Sequence, residues 1–470
     1  MSTEAGTRRV RAQRRRGRAF VGAFAIVVGV LAVLGLAGAA ASVAQGPRVT
    51  DVLVDPRAAA EASGSRLILT TSQTLADVDP SQVTVSPDTP FEVDTSGRSV
   101  GVRFTLPLWD DTQYTVRIDG VSGIGGGPAT TITQTFQTPE AEAFLLQRGT
   151  DDGDMIYRTD LTGQNAVPVF THPHIEDFRA TATHLVVSVR TEDDEAGLIV
   201  TDLDGENARE LPLPGDGFVS NLQSADRGEL IGYTFSDAQL DAESGRESRL
   251  YTASLKDAAA DPVEVAVEGA DPRVAEWRFV PDTDSILLLS FDGSLLLTGS
   301  GGEGATALGA AIGIQGIARG SSQAIVERVD QAATIDLTDA AEEPLVAPEV
   351  DLGGATSITP LPDGSTVRTA AVLDGGLPTG RTSVALVEPD GGTRLLTEVA
   401  ETDAVLQVCV SPSARYVALQ VAPDAVTNAY DTYQLPLPER PETRILQIGD
   451  GEPVVALNGA AVSWCQVPPL

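Results

Sequence analysis

The chain has 470 residues, of which 32 are Lys or Arg and 66 are Asp or Glu, so its formal net charge is −34. Seven of the basic residues fall within positions 1–18, and the remainder is therefore more acidic still. A surface of this charge repels phosphate backbones, which excludes nucleic-acid binding as a function.

The N-terminal region is a basic segment, residues 1–18, followed by an uncharged apolar run over 19–44. About 20 apolar residues suffice for a helix to span a bilayer. We therefore expect 19–44 to be a transmembrane helix, a signal anchor with the lipid bilayer as its partner. The arginines ahead of it favour a cytoplasmic N-terminus, with the bulk of this single-pass cell-membrane protein extracytoplasmic. A cleaved signal peptide is the alternative, because residues 42–44 are small enough for a peptidase site.

From Arg48 onward the sequence is organised as short β-prone runs with alternating apolar and polar residues. Gly, Pro, Asp and Ser separate these runs, and this pattern predicts an all-β protein. More than 400 residues are too many for one sandwich. At least two domains are expected.

The first predicted domain covers residues 46–140. Its six or seven runs, with turn signals about every ten residues, are typical of an immunoglobulin-like β-sandwich. Segments 75–83, 104–108, 114–121 and 135–138 resemble those of bacterial Ig-like domains found in surface-layer and other exported proteins. The resemblance implies a spacer that holds the next domain away from the membrane.

The second predicted domain, residues 141–470, is repetitive. A strand that ends in a Gly- or Asp-rich turn recurs seven times, at intervals of 37 to 52 residues. This period is typical of β-propellers, in which each unit is a four-stranded blade, so a seven-bladed propeller is predicted. The seven segments are 156–163, 198–205, 250–257, 295–302, 332–339, 384–391 and 432–439.

Hairpins precede most of these segments, as in 277–291, 358–372 and 408–421. They resemble the hairpins of periplasmic TolB-like and WD40-like propellers, although several lack the Asp-Gly turn of those families. The resemblance implies a propeller that binds a protein or a cell-envelope polymer through loops around its central channel.

The two cysteines occupy the same place in the hairpin motif, because Cys409 and Cys465 each stand three residues before a proline. The first repeat lacks a first strand, and we expect the segment around Cys465 to supply it and close the propeller. The cysteines then lie on neighbouring first strands, and a Cys409–Cys465 disulfide is expected to fasten the closure. Two separate buried thiols are the alternative, since a disulfide needs a narrow Cα separation.

Two clusters are weak candidates for a metal site. His172, His174 and Glu176 offer two imidazoles and a carboxylate, although a linker containing His-Pro-His is commonly just exposed. The acidic segment 151–154 offers oxygen ligands for calcium, or is simply an acidic hairpin tip. We assign no catalytic residue, no metal and no cofactor.

Two short segments match catalytic or nucleotide-binding motifs, the nucleophile elbow at 97–101 and the dinucleotide glycines at 299–304. Both fall in predicted hairpins with no helix following, which the chemistry of either motif requires. We therefore expect a noncatalytic binding or scaffold protein. The alternatives are a propeller hydrolase or lyase with its site in the central channel, and a purely structural component of the cell envelope.

Overall fold

The computed structural model describes residues 22–35, 45–150, 152–191, 193–225, 230–240, 245–257 and 259–469. Strands dominate these residues, so the prediction of an all-β protein is confirmed. The predicted basic tail, residues 1–18, lies outside the described part of the chain.

The first helix, α1, is described over residues 22–35, which is 14 residues. A bilayer requires about 20. Within the described ranges, no helix combines the length and the apolar character needed to cross a membrane. The prediction of a transmembrane anchor over 19–44, and of the single-pass location that depended on it, is therefore wrong. It counted the whole uncharged run as one helix, whereas the described helix covers about half of it.

Contacts divide the chain into two compact units. The first is built on seven strands: β1 (Val49–Leu53), β2 (Arg66–Thr71), β3 (Val83–Ser86), β4 (Phe91–Ser96), β5 (Ser99–Phe104), β6 (Gln113–Val121) and β7 (Thr130–Gln137), with a short 3-10 helix at Pro80–Gln82. They form two sheets with orders β1-β2-β5-β4 and β3-β6-β7. Alternate residues of β2, β3 and β6 are buried, as the period-two pattern of the sequence requires.

Two segments that lie within 46–140 in the sequence group with the second unit instead. They are Pro56–Ser65, which contains helix α2 (Pro56–Glu61), and Phe104–Thr112. Ser63 Oγ, for example, donates a hydrogen bond to Asp282 Oδ2 at 2.7 Å. The units are therefore not divided at one point of the chain.

The second unit contains seven antiparallel sheets that follow one another along the chain. The first has three strands: β8 (Glu142–Thr150), β9 (Gly153–Asp160) and β10 (Val167–His172). The other six have four strands each: β11 (Ile175–Ala180), β12 (His184–Arg190), β13 (Ala196–Asp202) and β14 (Arg209–Leu211); β15 (Gly217–Ser224), β16 (Leu230–Asp237), β17 (Arg249–Ser254) and β18 (Val263–Glu264); β19 (Val274–Phe279), β20 (Ser285–Ser290), β21 (Ser294–Gly299) and β22 (Thr306–Ala310); β23 (Gly313–Ile317), β24 (Gln323–Glu327), β25 (Ala332–Asp336) and β26 (Glu342–Pro344); β27 (Ala355–Pro360), β28 (Thr366–Asp374), β29 (Leu377–Val387) and β30 (Thr393–Val399); β31 (Ala404–Val410), β32 (Tyr416–Ala422), β33 (Glu442–Gln447) and β34 (Pro453–Asn458).

The first six predicted repeat segments overlap β9, β13, β17, β21, β25 and β29. The seventh, 432–439, does not, and its prediction as a strand is wrong. It lies in a 19-residue connection, 423–441, between β32 and β33. Its apolar residues alternate as in a strand, but two of its eight residues are prolines, which have no N–H group for strand pairing.

Residues 460–464 run along the free edge of β8 and complete the first sheet. Leu146 N donates to Ala460 O at 2.8 Å, and Ala460 N donates to Leu146 O at 2.9 Å. Ser463 N donates to Phe144 O at 2.9 Å. The C-terminal segment therefore takes the place of the first strand that the first repeat lacks.

The first strands of successive sheets lie side by side, from β11 through β15, β19, β23 and β27 to β31, and β8 contacts β11. Polar side chains connect them: Gln223 Nε2 donates to Trp277 O at 2.7 Å, and Arg278 Nη2 donates to Ile314 O at 3.0 Å. Apolar clusters fill the space between sheets, and one of them contains the fully buried Trp277. The seven sheets are thus joined in sequence by both core packing and hydrogen bonds.

Candidate functional site

The antiparallel order of the strands gives the sheets of the second unit two ends. We call end A the end with the connections from first to second and from third to fourth strands. End B carries the connections from second to third strands and from one sheet to the next. Because consecutive strands run in opposite directions, connections of one kind lie at the same end of each sheet. Thr181, Ala225, Arg319 and Ser411, from the first-to-second connections of four sheets, line one cavity, so the ends of these sheets coincide.

The segment 466–469 lies in the space that the first strands enclose. Gln407 Nε2, on β31, donates to Val467 O at 2.9 Å and to Pro468 O at 3.2 Å. Val467 lines a cavity of about 80 Å³ together with Arg278 of β19. Pro468 lines another of about 160 Å³ with residues of β11 and β15. The C-terminal segment therefore lies among the first strands of four sheets, where the sequence predicted a binding or catalytic site.

The charged side chains on the first strand β11 are buried, whereas Glu276 on β19 is 33% exposed. Asp177 Oδ1 accepts a hydrogen bond from Arg179 Nη1 at 2.9 Å, with both side chains less than 8% exposed. Burial raises the pKa of Asp177, against the opposing effect of Arg179. Burial also lowers the pKa of the Arg278 guanidinium to about 10. Groups this deep act mainly on their protein neighbours.

A third cavity, of about 140 Å³, lies at end A. Guanidinium groups of Arg57 and Arg319 and carboxylates of Glu61 and Glu142 line it. It shares six residues with the 80 Å³ cavity: Arg319, Ser411, Pro412, Trp464, Cys465 and Gln466. The two cavities therefore adjoin. The larger one, at end A, is lined by both positively and negatively charged side chains.

Cys409 and Cys465 form a disulfide whose Cα atoms are 5.0 Å apart. That separation lies within the usual range for a disulfide. Cys409 lies on β31, and both cysteines pack in one buried cluster with Trp464 and Tyr416. The bond links the first strand of the last sheet to the segment that completes the first sheet.

Asp110 attaches the 104–112 segment to end A. Its side chain is 9% exposed and accepts a hydrogen bond from Ser413 Oγ. Arg415 donates to the backbone oxygen of Asp110 and to Thr112 Oγ1. Burial raises the pKa of Asp110 to about 6, although the bond from Ser413 opposes the change. End A is thus partly covered by segments from earlier in the chain.

At end B, the 423–441 loop is fixed to the first sheet. Arg148 Nη1 donates to Asp431 Oδ2 at 2.7 Å and to Leu435 O at 2.8 Å. The same guanidinium lies 4.1 Å from the ring centroid of Tyr433, whose hydroxyl donates to Asp154 Oδ2 at 2.9 Å. Burial, followed by that hydrogen bond, raises the pKa of Tyr433. The loop is held by several buried contacts at once.

The histidine cluster takes part in the same attachment. His174 Nε2 lies 2.7 Å from Glu176 Oε1, and its ring stacks on Tyr433 with centroids 3.8 Å apart. Glu176 also accepts from two backbone N–H groups of the 423–441 loop, at 3.1 and 3.3 Å. His172 Nδ1 contacts the backbone of His174. Among the residues that the structure describes, no three His, Cys, Asp or Glu side chains are arranged to hold a metal ion.

The acidic hairpin tip is used differently from a calcium loop. Asp151 lies outside the described residues. Asp154 accepts from Gly149 N at 3.0 Å, from Ile175 N at 2.8 Å and from Tyr433. Its oxygens therefore bind protein donors.

A cleft of about 790 Å³ opens beside the 423–441 loop, within the range of ligand-binding sites. Its lining includes Leu146, Leu437, Pro423, Pro438, Pro441, Glu439, Glu442, Asp431 and Arg440. The sequence analysis missed this cleft because its residues come from three separate stretches of chain. The feature of the sequence that could have indicated it is the length of the 423–441 connection between β32 and β33.

The two motif matches lie in hairpins, as expected. Ser99 begins β5 directly after a turn, and its Oγ lies 3.2 Å from Thr70 Oγ1 on the neighbouring strand. Residues 299–304 connect β21 to β22. Neither has the strand-to-helix geometry that its chemistry needs.

Neither a protein-family model nor a curated protein matches the chain. Among solved structures, it is similar to the β-propeller domain of Cps50 (Swd1) from Myceliophteria thermophila, with 12% identity over 61% of this chain and 87% of that one, at a TM-score of 0.40. It is also similar to a protein assigned as TolB from Agrobacterium tumefaciens, with 13% identity over 68% and 91% of the two chains and a TM-score of 0.35. A Bacteroides fragilis protein assigned as a 6-phosphogluconolactonase gives 10% identity, 70% and 95% coverage and a TM-score of 0.41.

Proposed function

We propose that this chain is a noncatalytic binding or scaffold protein, in which an Ig-like β-sandwich, residues 46–140, precedes a seven-bladed β-propeller, residues 141–470. Its ligand is another protein, bound at one end of the propeller. No cofactor takes part.

The strand pairing supports seven blades. Seven antiparallel sheets follow one another in sequence, and their first strands are neighbours from β11 to β31. Residues 460–464 bring the first sheet to four strands, so that the last blade is joined to the first. Closure of this kind is how a propeller avoids unpaired inner edges.

One observation favours binding over catalysis in the channel: the segment 466–469 occupies it. Gln407 is bonded to that segment, and Gln223 and Arg278 are bonded to neighbouring first strands. The side-chain nitrogens of Gln407, Gln223 and Arg278 thus already have protein acceptors, whereas Asp177 Oδ2 and Arg179 Nη2 are buried without a hydrogen-bond partner. Contact with a ligand is left to the two ends.

Site-specific photo-crosslinking in the organism that makes the protein tests this proposal. A crosslinkable residue in place of exposed Val426 or Ile312, at end B, is expected to give a discrete protein adduct. The matched controls are Val263 and Leu395, which are apolar and 53% exposed, close to the 57% of Ile312, but lie on outermost strands. Equal adducts from all four positions, or none from any, would contradict the proposal.

An activity assay separates the enzyme alternative. With ester, phosphoester and glycoside substrates, the turnover by the natural chain is expected not to exceed the turnover by an Arg278→Met variant. Turnover that this channel substitution abolishes would favour a hydrolase instead, and would refute the noncatalytic role.

A further inference from the structure

The exposed large apolar side chains of the sheet-forming region, residues 141–469, are unevenly distributed. Ten of them lie at end B: Leu240, Phe291, Ile312, Val329, Val346, Val350, Leu373, Leu377, Val426 and Tyr430. Four others lie on outermost strands, and none of the described end A connections carries one, although Trp109, 51% exposed, lies on the 104–112 segment attached to end A. Side chains such as Val426, which is 98% exposed, have no packing role in the chain itself.

End A and end B differ in a second way. Segments from earlier in the chain pack against end A, through Ser63 to Asp282 and through Asp110 to Ser413. The apolar residues at end B are exposed. Apolar side chains gathered at one end of a molecule, and rimmed by polar residues, mark an interaction surface.

The charge of end B indicates the partner's charge. Its described connections contain 17 acidic and four basic residues, and three of the four basic residues, Arg246, Arg273 and Arg328, pair with nearby carboxylates. End A is acidic too, so the charge indicates only what kind of partner binds. The exposed apolar residues indicate that it binds at end B. A second copy of this acidic chain would be repelled, whereas a basic surface would be attracted.

The cleft beside the 423–441 loop, like the rest of end B, combines apolar and acidic residues. Its walls include Leu146, Leu437 and Pro438, and carboxylates of Glu439 and Glu442 line it as well. The loop that forms one wall is anchored by Arg148 and Tyr433, so the cleft exists before any partner binds. A pre-formed cleft lowers the cost of ordering on binding.

We infer that end B docks a segment of another protein that carries Arg or Lys next to apolar side chains, with the cleft beside the 423–441 loop as the anchoring site. This inference rests on the proposed binding function and names the partner's chemistry. One apolar side chain enters the cleft, others contact the exposed Val426 and Tyr430 of the same loop, and the basic groups pair with Glu439 at the cleft and Asp424 on the loop.

The probe is a displayed library of random linear peptides, selected on the full chain. Enriched peptides are expected to combine Arg or Lys with apolar residues, and their affinity should fall as salt rises. The affinity of a synthesised peptide is then measured by fluorescence anisotropy. Enriched peptides without basic residues would overturn the inference.

Two double variants test the site. Val426→Ser/Tyr430→Ser and Asp424→Asn/Glu439→Gln are each expected to weaken peptide binding by about tenfold or more, which is about 1.4 kcal/mol. The matched controls, Val263→Ser/Leu395→Ser on outermost strands and Asp284→Asn/Glu452→Gln at end A, should leave the affinity within about twofold.

The outcomes are distinguishable from failure of the proposed function. If no peptide is enriched, or if the end A controls weaken binding as much as the end B variants, the inference is wrong. A crosslinked partner in cells would nevertheless leave the binding function intact. If no peptide is enriched and no partner is crosslinked in cells, both the inference and the proposed binding function are refuted.

Discussion

The disulfide between Cys409 and Cys465 closes a loop with a sequence separation of 56 residues. In the chain-entropy relation, a loop of that size removes about 14 cal/mol/K from the unfolded ensemble, or about 4 kcal/mol at 25 °C. Native domains are stable by only about 5–15 kcal/mol, so this is a large fraction of the total. Reduction of the disulfide should therefore lower the free energy of unfolding by about that amount.

The assay is urea unfolding of the oxidised and the reduced chain, followed by tryptophan fluorescence. Trp464 adjoins Cys465 and packs in the same cluster, so its emission reports on this closure. Hydrogen exchange provides a local readout: the amides of Leu146 and Ser463, which pair β8 with the terminal segment, should exchange faster after reduction.

The control is the Cys409→Ser/Cys465→Ser variant, whose unfolding should not respond to reductant. The reasoning would be refuted if oxidised and reduced chains unfolded at the same urea concentration. It would also be refuted if the double variant responded to reductant as strongly as the natural chain, because the effect would then not come from this bond.

Three further predictions concern stability. The folded-state pKa of Asp110, about 6, lies above its ordinary 3.8, so its ionisation destabilises the folded state as the pH rises from about 4 to 6. Asp110→Asn should therefore gain up to about 3 kcal/mol relative to the natural chain between pH 4 and pH 7 in urea unfolding, and a constant difference would contradict this. Arg148→Met removes the ion-pair partner of Asp431, whose side chain is 17% exposed, and should cost up to about 3 kcal/mol, with faster proteolysis of the 423–441 loop; unchanged cleavage would refute the anchoring role. Gly232→Ala places a Cβ 2.4 Å from Trp277 and should cost about 1–3 kcal/mol by thermal unfolding, whereas Gly354→Ala, with no atom within 4 Å, should be nearly neutral.

The sequence predicted the all-β class and six of the seven repeated strands, because period-two alternation and turn residues act locally. Third strands such as β13 and β21 end in Gly- or Asp-rich turns, which made the repeat visible. The motif shared by Cys409 and Cys465 placed the terminal segment at the first sheet, since matching positions in a repeat occupy matching positions in the fold.

The rest was beyond local patterns. The loop at 423–441 contains an alternating run that resembles a strand, but its prolines weaken strand pairing and its tertiary contacts with Arg148 hold it in another conformation. His174 and Glu176 suggested metal ligands by residue type, yet their partners come from a segment more than 250 residues away. The position of 466–469 among the first strands has no sequence signature, because it depends on how distant strands are arranged.

The first sheet has an unusual place in the order of synthesis. Phe144 on β8 is hydrogen-bonded to Ser463 of the C-terminal segment, and the two residues are 319 positions apart in the chain. At a synthesis rate of about 5–20 residues per second, about 15–60 s pass between the synthesis of β8 and that of the segment that pairs with it. During that interval β8 presents an unpaired edge with four consecutive buried-type residues, Ala143 to Leu146, that other strands can pair with. The pairing of β8 with the C-terminal segment is thus also a late step of biosynthesis, before which this edge is open to other strands.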